Sequence, residues 1–162
     1  ERWGLLSTPG TTRDLGRLNR ARGEQYVAQG DYPAATRALL LAVESLPGDP
    51  VLHFNLGRLL SQSGRTNEAI QHYRACLQLT PEDPEALNNL AYMLLERGEY
   101  AEAEGYLRTA IRVAPSFPHA HFNLGRVLFE TGRDSEGMNQ FQQAANLDPS
   151  YAEWFAEFQL GG

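Results

Sequence analysis

The sequence has little that would support redox chemistry, a membrane span or nucleic-acid binding. Its one cysteine, Cys76, excludes an internal disulfide and a cysteine-rich metal site. Lysine is absent, so all 14 basic residues are arginine, a bias typical of a GC-rich, bacterial coding sequence. No run approaches the roughly 18 apolar residues of a membrane-spanning helix, so we expect no direct membrane insertion. The formal net charge of −6 disfavours nucleic acid as a partner, because such binding needs a basic face against phosphates.

What the sequence does contain is an internal repeat of 34 residues. Five columns of small residues, glycine and proline keep this spacing without a gap from about residue 16 to residue 151. The columns are Pro47, Pro81, Pro115, Pro149; Gly30, Gly64, Gly98, Gly132; Gly23, Gly57, Ala91, Gly125; Ala35, Ala69, Ala103, Gly137; and Ala42, Cys76, Ala110, Ala144. A period of this length indicates a repeat protein with one supersecondary unit per repeat.

Each repeat predicts two helices. In residues 50–83, leucines at helical spacing predict a first helix that begins at Asp49 and Pro50 and ends at Gly64. A second apolar stripe predicts a second helix, with Thr66 as its N-cap. The small residues of the columns are expected where the paired helices approach closely, because larger side chains would push the backbones apart.

These positions resemble the tetratricopeptide repeat pattern, in which Leu-Gly, Tyr, Ala, Phe and Pro recur. The matching residues are Leu56, Gly57, Leu60, Ala69, Tyr73, Pro81; Leu90, Ala91, Leu94, Ala103, Leu107, Pro115; and Leu124, Gly125, Leu128, Gly137, Phe141, Pro149. The family's tryptophan near the start of each first helix is replaced by His53, Leu87 and His121. The resemblance implies an all-α fold, a right-handed α-solenoid of four helix-turn-helix units whose first helices line a concave groove.

The period also predicts the domain organisation. Its parts are residues 1–15, an N-terminal extension and the start of the first helix; four repeats, 16–49, 50–83, 84–117 and 118–151; and residues 152–162, a capping helix and tail. The first repeat is less regular, with Arg22 where the family has a buried leucine. We interpret its outer face as a polar end cap, or as a face that packs against an upstream segment containing Trp3, Leu5 and Leu6. Because it lacks an initiator methionine, we expect the chain to be an excised or processed fragment.

The candidate binding residues lie at positions that face the groove in this family. Asn55, Asn89 and Asn123 occupy one position in consecutive repeats, and an amide both donates to and accepts from peptide bonds. This column resembles the asparagine ladder of O-linked N-acetylglucosamine transferases, which holds extended polypeptide. Alternatively, asparagine at this position orders the helix pair. Under the first interpretation, replacing all three with alanine weakens peptide binding and leaves melting nearly unchanged.

Arginine and aromatic residues flank the asparagine column. Arginine binds carboxylates through a planar fork and stacks on aromatic rings, while the aromatic side chains offer apolar pockets. Alternatively, these arginines pair with Glu24, Glu96 or Glu130. The full predicted set for binding a peptide or partner is Arg20, Phe54, Asn55, Arg58, Asn88, Asn89, Tyr92, His119, Phe122, Asn123 and Arg126.

One binding mode of the family is excluded by its residues. Co-chaperones of this family hold the C-terminal carboxylate of heat-shock proteins with a clamp of Lys, Asn, Asn, Lys and Arg. Here Glu24 stands where the first asparagine is required, and Glu85 and Asn89 replace the second lysine and the arginine. The clamp is therefore absent.

Neither a catalytic nor a metal site is expected. His119 and His121 are two residues apart on a helix and point in different directions, whereas ligands on one face need a separation of three or four. Cys76 falls in a buried column, which indicates a packed thiol rather than a nucleophile. No glycine-rich phosphate loop follows a strand. We predict no catalytic residue, no metal ligand and no cofactor, hence a protein that is not an enzyme.

The main hypothesis is an adaptor module that binds a protein or peptide, as an extended segment or a partner helix, in the groove. A first alternative is a self-assembling scaffold component of a secretion, pilus or envelope complex, which self-associates through Trp154, Phe155 and Phe158. A second is a non-catalytic, substrate-recruiting arm of a larger enzyme. The fold serves many tasks, so naming a process would rest on analogy.

Overall fold

The structure is a computed structural model that describes residues 11–160, with side chains described up to Glu157. The proposed upstream segment with Trp3, Leu5 and Leu6, and the side chain of Phe158, therefore lie outside the described residues.

The described residues form α-helices joined by short loops, which confirms the all-α class. The chain divides into two compact parts, an N-terminal lobe that ends at Leu79 and a C-terminal lobe that begins at Thr80. The N-terminal lobe contains α1 (Thr12–Ala28), α2 (Tyr32–Ser45), α3 (Pro50–Gln62) and α4 (Thr66–Leu79). The C-terminal lobe contains α5 (Pro84–Glu96), α6 (Tyr100–Val113), α7 (Pro118–Glu130), α8 (Asp134–Leu147) and α9 (Pro149–Leu160). Consecutive helices pair as hairpins, α1 with α2 through α7 with α8.

An aspartate before a proline starts two of the first helices. Oδ1 of Asp49 accepts hydrogen bonds from the amides of Val51 and Leu52 at 3.0 and 3.3 Å, and Asp83 caps α5 in the same way. The following proline fits the first turn because it has no amide hydrogen there to leave unsatisfied. The predicted start of α3 is thereby confirmed.

A glycine in the left-handed conformation ends each first helix, as the α3–α4 hairpin illustrates. Gly64 has φ 75°, and its amide donates to Ser61 O while the amide of Arg65 donates to Leu60 O. This pair of bonds is the Schellman motif, which satisfies carbonyls at the helix end. The carbonyl of Arg65 then accepts from the amide of Ala69 at 3.0 Å, so Arg65 holds the N-cap position. The prediction of Thr66 as the N-cap is wrong by one residue, because Thr66 is already the first residue of α4.

The last helix begins earlier than predicted. The amide of Ala152 donates to the carbonyl of Asp148, and the Asp148 side chain accepts from the amide of Ser150 at 2.8 Å. Pro149 therefore both follows the end of α8 and begins α9, three residues before the predicted start at Ala152. The signal was already in the sequence, since Asp148 and Pro149 repeat the aspartate-proline pair that begins α3 and α5. The boundaries of the four repeats remain a prediction.

Small residues let the helices of a hairpin approach closely. A Cβ at Gly57 would lie 2.7–2.9 Å from three ring carbons of Tyr73, whose side chain is buried across the α3–α4 contact. In α7, a Cβ at Gly125 would lie 2.6 Å from ring carbons of Phe141. Neither ring can move aside cheaply, because both are enclosed in the core. Aromatic rings on the second helices thus fill the space that glycine leaves on the first.

The C-terminal helix covers one end of the C-terminal lobe. The ring of Trp154 lies 4.8 Å from the ring centroids of both Phe122 and Phe141, and Phe155 is buried. These contacts cover apolar surface that the last hairpin would otherwise expose to solvent. No helix within residues 11–160 is both long and apolar enough to cross a membrane.

Replacing Gly57 with alanine is expected to lower the free energy of unfolding by about 1–3 kcal/mol, because the new methyl group overpacks the Tyr73 ring. The matched control is Gly105→Ala in α6, where a Cβ meets nothing within 4 Å. There, alanine should raise stability by about 0.5–1 kcal/mol through helix propensity alone. Urea unfolding of both variants measures the two effects, and a Gly57→Ala protein as stable as Gly105→Ala would refute the close-packing argument.

Candidate partner-binding site

In the N-terminal lobe, the predicted residues of α3 form one group. Arg58 is exposed and Asn55 is half-buried, while the Phe54 ring packs edge-on against Tyr73 with centroids 6.0 Å apart. Within residues 11–160 neither the Asn55 side chain nor the Arg58 guanidinium has a hydrogen-bond or ion-pair partner. The Asn55 amide and the Arg58 guanidinium are thus available to a ligand, whereas Phe54 partly serves the hairpin core.

Arg20 forms an ion pair with a glutamate, as the alternative interpretation expected. Its guanidinium lies 2.9 Å from Glu24 Oε1 on the same helix and 2.5 Å from Asp49 Oδ2 in the loop before α3. The hydrogen bond to Glu24, and then the charge of Asp49, raise the pKa of Arg20 above its usual value. Arg20 therefore joins α1 to the start of α3 and has little free hydrogen-bonding capacity on that side.

In the C-terminal lobe, two predicted asparagines bind each other. Asn123 on α7 donates from Nδ2 to Oδ1 of Asn88 on α5 at 2.9 Å, and both side chains are buried. A buried amide needs such a partner, because leaving it unsatisfied costs free energy. Of the asparagine column, Asn123 thus fits the helix-ordering alternative, whereas Asn89 is half-buried and its Oδ1 accepts from Asn88 Nδ2 only at 3.5 Å, the outer limit of a hydrogen bond. This pairing argues against unchanged melting for the triple alanine variant.

Tyr92 and Arg126 form an outward surface on the same lobe. The Tyr92 side chain is 39% exposed, and the guanidinium carbon of Arg126 lies 5.6 Å from its ring centroid. Nη2 of Arg126 also lies 2.7 Å from Oε1 of Glu96, so the ion pair expected under the alternative is present. The carboxylate orients the guanidinium without removing it from the tyrosine face, where a cation gains about 0.5–1 kcal/mol at an exposed site.

Two of the four predicted residues of the fourth repeat, Phe122 and His119, belong to an aromatic cluster. The ring of Phe122 lies 4.7 Å from Tyr151 and 4.8 Å from Trp154, both on α9. His119 is exposed and packs edge-on against Tyr151 at 5.6 Å. Burial raises the pKa of the Tyr151 phenol. Helix α9 thus covers the face on which Phe122 was expected to meet a partner.

A histidine contact that the sequence analysis missed closes the α3–α4 hairpin. Nδ1 of His53 lies 3.1 Å from Nδ1 of His72, while Nε2 of His53 lies 3.0 Å from the carbonyl of Pro47. Because that carbonyl accepts only, Nε2 of His53 donates, and His72 then donates to Nδ1 of His53. Burial, and then the charge of His53, lower the pKa of His72.

The same geometry recurs in the α7–α8 hairpin. His121 contacts the carbonyl of Pro115 at 2.8 Å and the side-chain amide of Gln140 at 2.8 Å. In both hairpins the histidine lies six residues after the proline and 19 residues before its second partner. This shared spacing is the sequence signal that could have predicted the contact. The histidines that replace the family's tryptophan therefore anchor the preceding loop. Within residues 11–160, no group of three metal-ligating side chains converges.

The comparisons with known proteins come from two family models and from solved structures. A tetratricopeptide repeat model matches residues 20–84 and 88–152, and a second model of that description matches residues 60–115. Neither describes a catalytic family. No curated protein sequence matches the chain.

Among solved structures, MamA from Desulfovibrio magneticus has a TM-score of 0.81 at 22% identity, over 94% of this chain and 86% of that one. YrrB, described as a TPR protein with an unusual peptide-binding site, has a TM-score of 0.77 at 19% identity, over 83% of this chain and 69% of that one. The pilF protein of Pseudomonas aeruginosa has a TM-score of 0.73 at 23% identity, over 90% and 68%. At these identities the likeness establishes the fold alone.

Asn123→Ala is expected to cost about 1–3 kcal/mol of unfolding free energy, because it leaves the buried Asn88 carbonyl without its donor. Asn89→Ala serves as the control and should change stability by less than about 0.5 kcal/mol. Denaturant unfolding measures both, and a double-mutant cycle with Asn88→Ala measures the coupling. Equal stability of the two single variants would contradict the assigned role of the buried pair.

His72→Gln is expected to reduce the loss of stability on acidification. Since the pKa of His72 is lowered in the folded state, the unfolded state takes up the proton first as the pH falls below about 6.5. The wild type therefore loses stability through that window, and glutamine, which already holds the equivalent position at Gln140, removes this part of the loss. Unfolding at pH 7.5 and pH 5 measures it, with the exposed His119→Gln as control. If the His72→Gln protein keeps the wild-type pH dependence, His72 is not the cause of this loss of stability.

Proposed function

The chain belongs to the tetratricopeptide repeat family, and from that premise we propose that it is an interaction module whose first helices bind an extended peptide or a partner helix. We propose two separate binding surfaces, one on each lobe. The surface of the C-terminal lobe comprises Asn89, Tyr92 and Arg126, and the surface of the N-terminal lobe comprises Asn55 and Arg58.

The exposure of Tyr92 beside Arg126 is the observation that carries this proposal. Tyrosine and arginine are enriched at the energetic centres of protein interfaces, since each combines a large contact area with hydrogen bonding. The Glu96 carboxylate holds Arg126 at 2.7 Å, so the guanidinium has less side-chain freedom to lose on binding. A peptide side chain can therefore pack on the Tyr92 ring while its backbone bonds to the hydroxyl or the guanidinium.

The α3 residues supply a different chemistry. The Asn55 amide can donate to a peptide carbonyl and accept from a peptide amide, whatever side chain the peptide carries. The Arg58 guanidinium, exposed and without an ionic partner in the described part of the chain, can bind a carboxylate through its planar fork. YrrB, a protein of the same fold, has a peptide-binding site described as unusual, which supports the proposal by analogy only.

Self-association through the C-terminal helix has less support. Trp154 packs against Phe122 and Phe141 of its own lobe, and Phe155 is buried. Both rings would have to leave these contacts before they could meet a second copy. The alternative of a recruiting arm of a larger enzyme depends on sequence beyond this chain.

We expect Tyr92→Ala to weaken a bound peptide at least about tenfold, which corresponds to about 1.4 kcal/mol. The probe is a synthetic 12-residue peptide selected from a random display library against the whole chain, with affinity measured by fluorescence polarisation. Tyr32→Ala is the matched control, because Tyr32 is also exposed, at 50%, but lies on a second helix. The peptide affinity of Tyr32→Ala should stay within about twofold of the wild-type value.

Circular dichroism of both tyrosine variants checks that the fold is intact. If Tyr92→Ala binds the selected peptides as the wild type does, or if Tyr32→Ala is the weaker binder, the proposed surface is wrong.

A further inference from the structure

A cleft lined by arginine opens in the N-terminal lobe, between the first turns of α1 and the loop that joins α2 to α3. Its volume is about 690 Å³, within the range of small-molecule and side-chain binding sites. Arg13, Arg17 and Arg20 line one wall, and Ser45 and Asp49 lie on the other. None of the sequence arguments singled out this cleft, because its two walls lie about 30 residues apart in the chain.

The three arginines share a wall because they lie at intervals of four and three residues on α1. Such intervals place side chains on one helix face, one above the other. Among the described residues that line the cleft, Asp49 is the only acidic one, so these residues carry three positive charges against one negative charge. The N-terminus of α1 adds a partial positive charge at the same end of the helix, since Thr12 also lines the cleft.

The Arg20–Asp49 ion pair forms the fixed part of the cleft. Asp49 is held by its N-cap bond to the amide of Val51, and Arg20 is held by Asp49 and by Glu24. These partners largely neutralise the charge of Arg20. The free positive charge must therefore come from the other two arginines.

Arg13 and Arg17 remain available for a ligand. Arg17 has a 65% exposed side chain, and its ion pair, from Nη1 to Asp14 at 3.8 Å, is longer than a hydrogen bond and leaves its other donors to a ligand. Within residues 11–160, the Arg13 guanidinium has no ionic partner at all. Two forks on successive turns of one helix can each take a carboxylate in a bidentate arrangement.

We propose that this cleft binds glutamate or aspartate side chains of an acidic segment in a partner protein. Carboxylates match the planar forks, and the cleft is open enough to admit side chains from a continuous peptide. The Asp49 carboxylate in the lining disfavours a dianionic phosphate more than it disfavours a single carboxylate charge. The net charge of −6 repels acidic peptides in general, so binding requires a local positive surface such as this one. The site and its ligand go beyond the surface proposed above, and either can fail without the other.

The test measures binding of a fluorescein-labelled peptide rich in glutamate to the whole chain, by fluorescence polarisation at about 50 mM salt, below physiological screening. Arg13→Gln combined with Arg17→Gln should weaken binding at least about tenfold. Both side chains are exposed, so the variant keeps its fold. The matched control combines Arg37→Gln with Arg112→Gln, two exposed arginines on α2 and α6, which changes the net charge equally. It should bind within about twofold of the wild type.

Three further arms separate the explanations. A peptide with glutamine in place of every glutamate should not bind, and about 10 mM inorganic phosphate should not displace the glutamate peptide beyond the effect of equal ionic strength. Tyr92→Ala should bind it like the wild type, which separates this cleft from the surface proposed above. Equal losses in the two arginine variants would overturn the proposal in favour of diffuse electrostatics. Binding of the glutamine peptide, or displacement specific to phosphate, would overturn it in favour of an apolar groove or a phosphate site.

Discussion

The close approach of the two helices in each hairpin is the constraint on which the rest of this structure depends. In two of the hairpins one helix has a glycine at the contact, so the ring of Tyr73 lies over Gly57 and that of Phe141 over Gly125. A Cβ at either glycine would lie less than 3 Å from ring carbons, so the packed interior cannot take an extra methyl group without strain. Once the pair is held in this way, the direction of every other side chain on both helices follows.

Several polar side chains form hydrogen bonds inside their own lobe. These side chains are therefore not available to bind a partner. The side-chain amide of Asn123 donates to Asn88, and the guanidinium of Arg20 pairs with Glu24 and Asp49. The histidine at the family's tryptophan position, His53 in α3, donates to the carbonyl of the loop that precedes it. A residue at a groove-facing position is therefore not necessarily a binding residue, because each hydrogen bond inside the lobe uses capacity that a ligand would need.

The exposed side chains that stay available to a partner differ in chemistry between the two lobes. Within residues 11–160, the N-terminal lobe keeps guanidinium groups without an ionic partner at Arg58 and at Arg13 in the cleft beside α1, although the chain as a whole is acidic. The C-terminal lobe presents the exposed ring of Tyr92, with a guanidinium held beside it by Glu96. Net charge is thus a poor guide to the local surface, since the acidic residues that dominate it are distributed over many helices.

The sequence by itself determined the all-α class, the hairpins and the ends of α3, because these depend on local properties that recur every 34 residues. Asp49 caps α3 and Gly64 ends it through contacts within a few residues, and the small columns follow from helix periodicity. Only the tertiary structure decided which candidate side chains are free. The contacts of Asn123 with Asn88 and of His53 with His72 join residues 35 and 19 positions apart. Such pairings depend on the rotation and spacing of packed helices, which a pattern of residue types does not specify.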